Sequence, residues 1–209
     1  LTATVSYLPA GSFAIYNYSK NLADKAYALL IQPIVTVFFT KISFDFSDRE
    51  SSISLIKKYA KLLNIVVVFL ISGSILFGES VLSLMWQSKN FDANNVKLAA
   101  VIFLFNIISI YFTANGAILR KLNVTEGKAR RLYMYMAVGQ ILSAIVSYIF
   151  INKFGILGLY AVIILNSILT TYITNLLLYR KSKYYANLFS MKIVLDITIY
   201  VILFFINGF

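Results

Sequence analysis

The sequence predicts an all-α membrane protein, a polytopic bundle of about six transmembrane helices, and three observations carry that prediction. The first is composition: 60% of the 209 residues are hydrophobic, 13% are charged, and mean hydropathy is +0.80. A soluble domain is roughly 45–50% apolar and about 25% charged, so this chain lacks the polar residues to wet a surface. The second is that its apolar residues form runs close to the ~20 residues a helix needs to cross a bilayer. The third is that Lys and Arg cluster between those runs, on alternate connections.

The first run, 12–40, takes in nearly all of "GSFAIYNYSKNLADKAYALLIQPIVTVFF" (11–39) and carries its charges, Lys20, Asp24 and Lys25, near its head; residues 26–39 hold none. Further spans are expected at 62–86, 96–119, 132–151, 156–178 and 193–206. The fifth is entered through "FGILGLY", where Gly155 and Gly158 permit a turn and a close helix approach. No strand precedes these glycines and no P-loop Lys follows, so they do not form a nucleotide loop. Residues 1–209 are read as a single transmembrane domain, expected to be a piece of a longer chain.

The connections set the orientation. Lys41, Arg49, Lys57, Lys58 and Lys61 lie on the first, Arg120, Lys121, Lys128, Arg130 and Arg131 on the third, and Arg180, Lys181, Lys183 and Lys192 on the fifth. The other two hold only Lys89, Lys97 and Lys153. Because cytoplasmic loops are rich in Lys and Arg, the first helix is expected to start outside and end in the cytoplasm. Trp86, Tyr148, Tyr160 and Tyr179 fall near span ends, where amphipathic rings favour the headgroup zone.

The same placement accounts for the net charge of +11 without nucleic acid as a partner. Cysteine and histidine are absent, which removes thiolate chemistry and the commonest proton shuttle and metal ligand. No nucleophile has a plausible base and no carboxylates pair at useful spacing. The chain is therefore expected not to be an enzyme and to need no cofactor or metal.

The polar positions are the candidates for function. Residues three or four apart share a helix face, so Asn17, Lys20, Asn21 and Asp24 form one stripe, with Lys20 and Asp24 spaced for an ion pair. Such a stripe either lies in the interface, with lysines snorkelling to water, or lines a wet cavity on a substrate route. Pro33 removes a backbone donor inside the same helix and is the candidate hinge. Gln140, Ser143 and Ser147, and Asn166, Thr170 and Thr174, form two further polar faces, read mainly as packing between helices. Asp196 is spaced to pair with Lys192, and Glu79 and Asp92 are expected near the outer surface. "NVT" at Asn123 matches a glycosylation acceptor but falls on the cytoplasmic side, so it is set aside.

"SYLPAGSFAIYNYSKNLADKAYALLIQPIVTVFFTKIS" (6–43), with its Gly-Ser, Tyr-rich turn and long apolar helix, resembles a region of the MviN/MurJ-like lipid II flippases. "LFGESVLSLMWQSKNFD", "ANGAILRKLNVTEGKARR" and "NKFGILGLYAVIILNSIL" fit the wider superfamily of polysaccharide flippases and multidrug extruders. The resemblance implies one lobe of a two-lobe transporter in the cytoplasmic (inner) membrane. Such a protein moves a lipid-diphosphate-linked oligosaccharide between leaflets by alternating access. Its partners would be that lipid-linked glycan, membrane lipids and the remaining lobe of the same polypeptide. In the family the head of this helix carries a cavity-facing Arg; an ungapped reading puts Asn21 there, with Lys20 just before it. Arg grips phosphate as a fork whereas Lys is a point charge. Lys20, with Lys25 second, is thus expected to face the diphosphate, Asn17 and Asn21 to add hydrogen bonds, and Asp24 to hold Lys20. A drug or cation extruder, and a non-transporting scaffold subunit, remain the alternatives.

Overall fold

The computed structural model describes residues 11–45, 49–88, 91–125 and 127–179. The span expected at 193–206, with Asp196 and Lys192, lies outside them. The described residues form long helices, and four of these are long and apolar enough to cross a membrane. Helix α1 is α-helical over Ser12–Ala26 and Gln32–Asp45, with a π-helical stretch Tyr27–Ile31 between. Helix α2 is Arg49–Trp86 and α3 is Ala93–Thr125. A continuous helical run, Ala129–Tyr179, is broken by non-helical backbone at Gly155, which divides it into α4 (Ala129–Gly155) and the shorter α5 (Gly158–Thr174). The first four helices exceed their expected spans, two of them most: α2 starts at Arg49, well before the apolar run, and α3 continues past residue 119 to Thr125.

Local chemistry sets the ends. Asp92 caps α3, its Oδ1 accepting the Asn95 N–H at 2.8 Å, as an N-cap carboxylate does. Before it, Ser88 and Phe91 exchange two backbone hydrogen bonds of 3.1 Å that close the turn from α2. At the same end of the bundle Gly155 has φ 56° and ψ −129°, a conformation that side chains resist. This residue folds α5 back along α4, so that Gly139 meets Ile173. Gly158 completes the turn: a methyl there would sit 2.2 Å from the Phe150 carbonyl oxygen.

α3 is the central helix. It buries Ile102, Ile107, Ile110, Ile118 and Leu119 and is packed by α1, α2 and α5. The Ser19 hydroxyl on α1 lies 2.9 Å from the Ala99 carbonyl oxygen, and Lys121 Nζ sits 4.2 Å from the Phe39 ring centre. These two contacts make α1 and α3 parallel neighbours. α5 also runs parallel to α3. Tyr160 stacks on Phe105 with ring centres 4.7 Å apart, the Thr171 hydroxyl donates to the Phe112 carbonyl at 2.8 Å, and Asn123 Nδ2 donates to the Thr174 carbonyl at 3.1 Å. Tyr160 is therefore an interior ring and not the interface anchor its place in the sequence implied. Asn123 is fully buried, which independently excludes its glycosylation.

Outward faces are apolar. Leu29, Phe69, Leu76 and Leu84 are 70–90% exposed, and Ile141, Leu142, Ile145 and Ile149 line the outside of α4. A water-soluble monomer does not expose so continuous an apolar surface. The fold is an all-α polytopic membrane bundle.

Candidate functional site: a polar cavity between four helices

A cavity of about 450 Å³ opens between α1, α3, α4 and α5. α1 supplies Tyr16 and Lys20, and α4 supplies Met136 and Gln140. α3 supplies Asn106, Ser109, Thr113 and Arg120, and α5 supplies Ile163, Asn166, Ser167, Thr170 and Thr171. Eleven of these thirteen side chains are polar counting Tyr16, in a bundle whose outer surface is apolar. Charges here act through a weaker dielectric than water and are felt more strongly.

Periodicity explains the α3 wall. Asn106, Ser109, Thr113 and Arg120 are spaced i, i+3, i+7 and i+14, which places them on one side of a helix. Gly116 and the hydroxyls let the walls approach. A methyl added at Gly116 would lie 3.0 Å from Thr171 Oγ1 and 3.2 Å from Arg120 Nη1, so the bare backbone there accommodates both α5 and the guanidinium.

The residues expected from the sequence divide among three settings. Lys20 lines the cavity, half-buried, and pairs with Asp24 one turn along α1. Asp24, Asn21 and Lys25 are exposed and lie outside the cavity lining, as does the half-buried Asn17. A stripe of four positions is about as wide as a helix face, and only its Lys20 edge turns inward. Pro33 is exposed and directly follows the π-helical stretch, in which the Gln32 N–H reaches back five residues to the Tyr27 carbonyl.

The two later polar faces also divide. Gln140, Asn166 and Thr170 line the cavity, whereas Ser147 and Thr174 are buried and donate to the carbonyls of Ser143 and Thr170 at 2.6 Å. Packing between helices accounts for the second pair alone. Arg120 was missed, because its neighbour Lys121 and the basic run beyond make it look like a loop charge. The α3 polar periodicity ending on Arg120 was the signal that would have found it. Among the described residues no cluster of three His, Cys, Asp or Glu side chains would hold a metal ion.

The sequence matches the family described as "Lipid II flippase MurJ" over residues 2–208. No curated protein and no solved structure gives a match.

Proposed function

Because the chain belongs to the MurJ lipid II flippase family, we propose that its polar cavity carries the headgroup of a lipid-diphosphate-linked glycan across the cytoplasmic membrane. The observation that carries this reading is Lys20 lining a polar cavity inside an otherwise apolar bundle. A diphosphate leaving water loses strong hydration, and a desolvated anion is tolerated only when paired. Lys20 supplies a positive charge at the cavity wall. Asn106, Gln140 and Asn166 supply amides of the kind that hydrogen-bond sugar hydroxyls. At about 450 Å³ the cavity has the volume of an ordinary small-ligand site. It takes a headgroup portion, and the lipid tail stays outside among the apolar faces. Transport of this kind needs positioning and a change of access but no bond-making chemistry.

Within this reading Asp24 holds the Lys20 ammonium near the wall, and Pro33 with the π-helical stretch gives α1 a place to bend. Asn21 and Lys25, which are exposed, and the half-buried Asn17 lie outside the cavity lining and take a weaker part. The second lobe that such a flippase requires would close the cavity from the side α2 leaves open.

The test uses the full-length protein, with a fluorescent or radiolabelled lipid-linked substrate in proteoliposomes. Lys20→Ala should lower flipping at limiting substrate by roughly ten- to hundredfold, the loss of one charge-assisted contact. Lys20→Arg should retain it and Lys25→Ala should change little. Normal flipping by Lys20→Ala would make the stripe an interfacial anchor and favour a scaffold role for this bundle.

A further inference from the structure

We propose that Arg120 is a second anion-binding residue of this cavity, at the end opposite Lys20, where it takes a phosphate or diphosphate group. The proposal rests on the flippase reading above and adds a separate station to it.

Direction is the first argument. An arginine near the end of a membrane helix ordinarily extends outward to the interface, burying its stem and wetting its head. Arg120 does the reverse. Its Nη1 lies over Gly116, one turn back along α3, close enough that a methyl there would sit 3.2 Å away. α3 continues beyond it to Thr125. Helical side chains lean towards the N-terminus, and the bare Gly116 backbone gives the guanidinium room to follow that lean into the cavity. The residue is thus held inside by packing.

Compensation is the second. Lys20 is ion-paired with Asp24, so Lys20 enters the cavity partly neutralised. Arg120 has no carboxylate partner among the described residues, and a half-buried guanidinium keeps its full charge and its planar fork for a ligand.

The walls between them supply the third argument. The hydroxyls of Ser109, Thr113, Ser167 and Thr170 donate to carbonyls of their own helices, and that of Thr171 donates to Phe112 on α3. With its proton so engaged, each hydroxyl offers the cavity only lone pairs. Lone pairs accept from sugar hydroxyls and repel phosphate, so the middle of the cavity suits the uncharged part of a glycan.

Spacing completes the case. Ser19 places the start of α1 level with Ala99, and Arg120 is 21 residues further along α3. At 1.5 Å per residue that is about 30 Å of helix between the two backbones, which the side chains shorten, Lys20 reaching towards Asp24 and Arg120 leaning back over Gly116. The two cations therefore stand at different heights of one cavity.

Equilibrium binding to the purified full-length protein tests this, with a short-chain prenyl diphosphate, the matching prenyl alcohol and inorganic pyrophosphate as probes. Arg120→Gln should weaken prenyl diphosphate binding roughly ten- to hundredfold and leave the alcohol unchanged. Arg120→Lys should restore part of it, and Lys20→Ala should leave Arg120-dependent binding measurable. Pyrophosphate binding as tightly as the prenyl compound would assign the site to a free phosphate species, and weaker pyrophosphate binding to a lipid headgroup. Unchanged diphosphate affinity in Arg120→Gln, with unchanged thermal stability, would overturn the proposal. If that variant does not fold, unchanged affinity in Arg120→Lys overturns it instead and a three- to tenfold loss supports it. Loss on Lys20→Ala with none on Arg120→Gln would sink the second station alone. No loss on either would sink the flippase reading of the cavity as well.

Discussion

Lys20 reaches Asp24 one turn along α1, and only Lys20 of the two lines the cavity. The pair therefore joins a cavity wall to an exposed surface, with the carboxylate on the wet side. Both side chains are more than a third exposed, 41% for Lys20 and 60% for Asp24. Water and salt screen such a pair, and its worth is typically about 0.2–1 kcal/mol. Asp24 is then a tether for the ammonium and not a structural necessity.

Asp24→Asn should accordingly leave thermal stability in detergent unchanged and alter flipping by less than about threefold. Lys20→Ala should lose far more. Flipping rates of the two variants at limiting substrate, at matched membrane levels, decide it. A loss with Asp24→Asn as large as with Lys20→Ala would mean that the carboxylate itself meets the substrate or a coupling cation.

The Gly155–Gly158 turn is the most sequence-dependent part of the scaffold. Gly155 adopts a backbone geometry open only to glycine at modest cost, and strain there for other residues is about 1–3 kcal/mol. Gly158 is the more demanding position, because a methyl 2.2 Å from the Phe150 carbonyl oxygen meets backbone, which cannot swing aside. Gly158→Ala should lower folded yield and melting temperature more than Gly155→Ala, and Gly73→Ala, where a methyl meets nothing, should lower neither. Size-exclusion recovery and thermal unfolding of the three variants give the ranking.

How far the sequence reveals this molecule depends on the physics behind each residue. The spans were legible because a hydrocarbon core imposes length and apolarity on any crossing helix, and the α4–α5 turn because "FGILGLY" places two glycines where one apolar run ends. Lys20 was legible as part of a stripe, but a helical wheel does not say which edge of the stripe meets a neighbour; only the Ser19–Ala99 contact turns Lys20 inward. Gln140, Asn166 and Thr170 looked like the same packing residues as Ser147 and Thr174, since hydroxyls and amides serve both purposes. Arg120 was hidden by its basic neighbours. Its inward direction depends on the space at Gly116, and the polar periodicity of α3 that ends on it was its one trace in the sequence.

The orientation predicted from the alternating loop charge can be checked without interference, because the chain has no cysteine. The parallel packing of α1, α3 and α5 gives the three helices one common direction, so a single label fixes the sense of all of them. A cysteine replacing the exposed Ser88, in the turn between α2 and α3, should react with an impermeant maleimide added to intact cells. One replacing Thr125, at the end of α3, should react only after permeabilisation. Labelling of the Thr125 variant from outside would invert the topology, and would put Arg120 at the outer end of the cavity.

Pro33 and the π-helical stretch before it make the remaining prediction. A proline ring clashes with the carbonyl four residues back, here that of Leu29, and it leaves the helix one donor short. Residues Tyr27–Ile31 are wound wider, with the Gln32 N–H bonded to the Tyr27 carbonyl, which moves the Leu29 carbonyl away from the ring. π-helical turns of this kind are uncommon and recur at functional sites. The widened turn lies between Lys20, on the cavity, and Phe38, which is buried, so a bend there swings the cavity half of α1 against a fixed inner half. Pro33→Ala restores the missing donor and removes the clash. In a soluble helix interior proline costs about 3 kcal/mol relative to alanine; here the π-turn already absorbs part of that, so stability should rise by less. The variant should therefore melt at a higher temperature and flip more slowly at saturating substrate, with unchanged diphosphate affinity. Thermal unfolding, binding and flipping measured on one preparation separate these effects. A Pro33→Ala variant that flips at the parent rate would remove the hinge role and leave the π-turn as an accommodation of the proline ring alone.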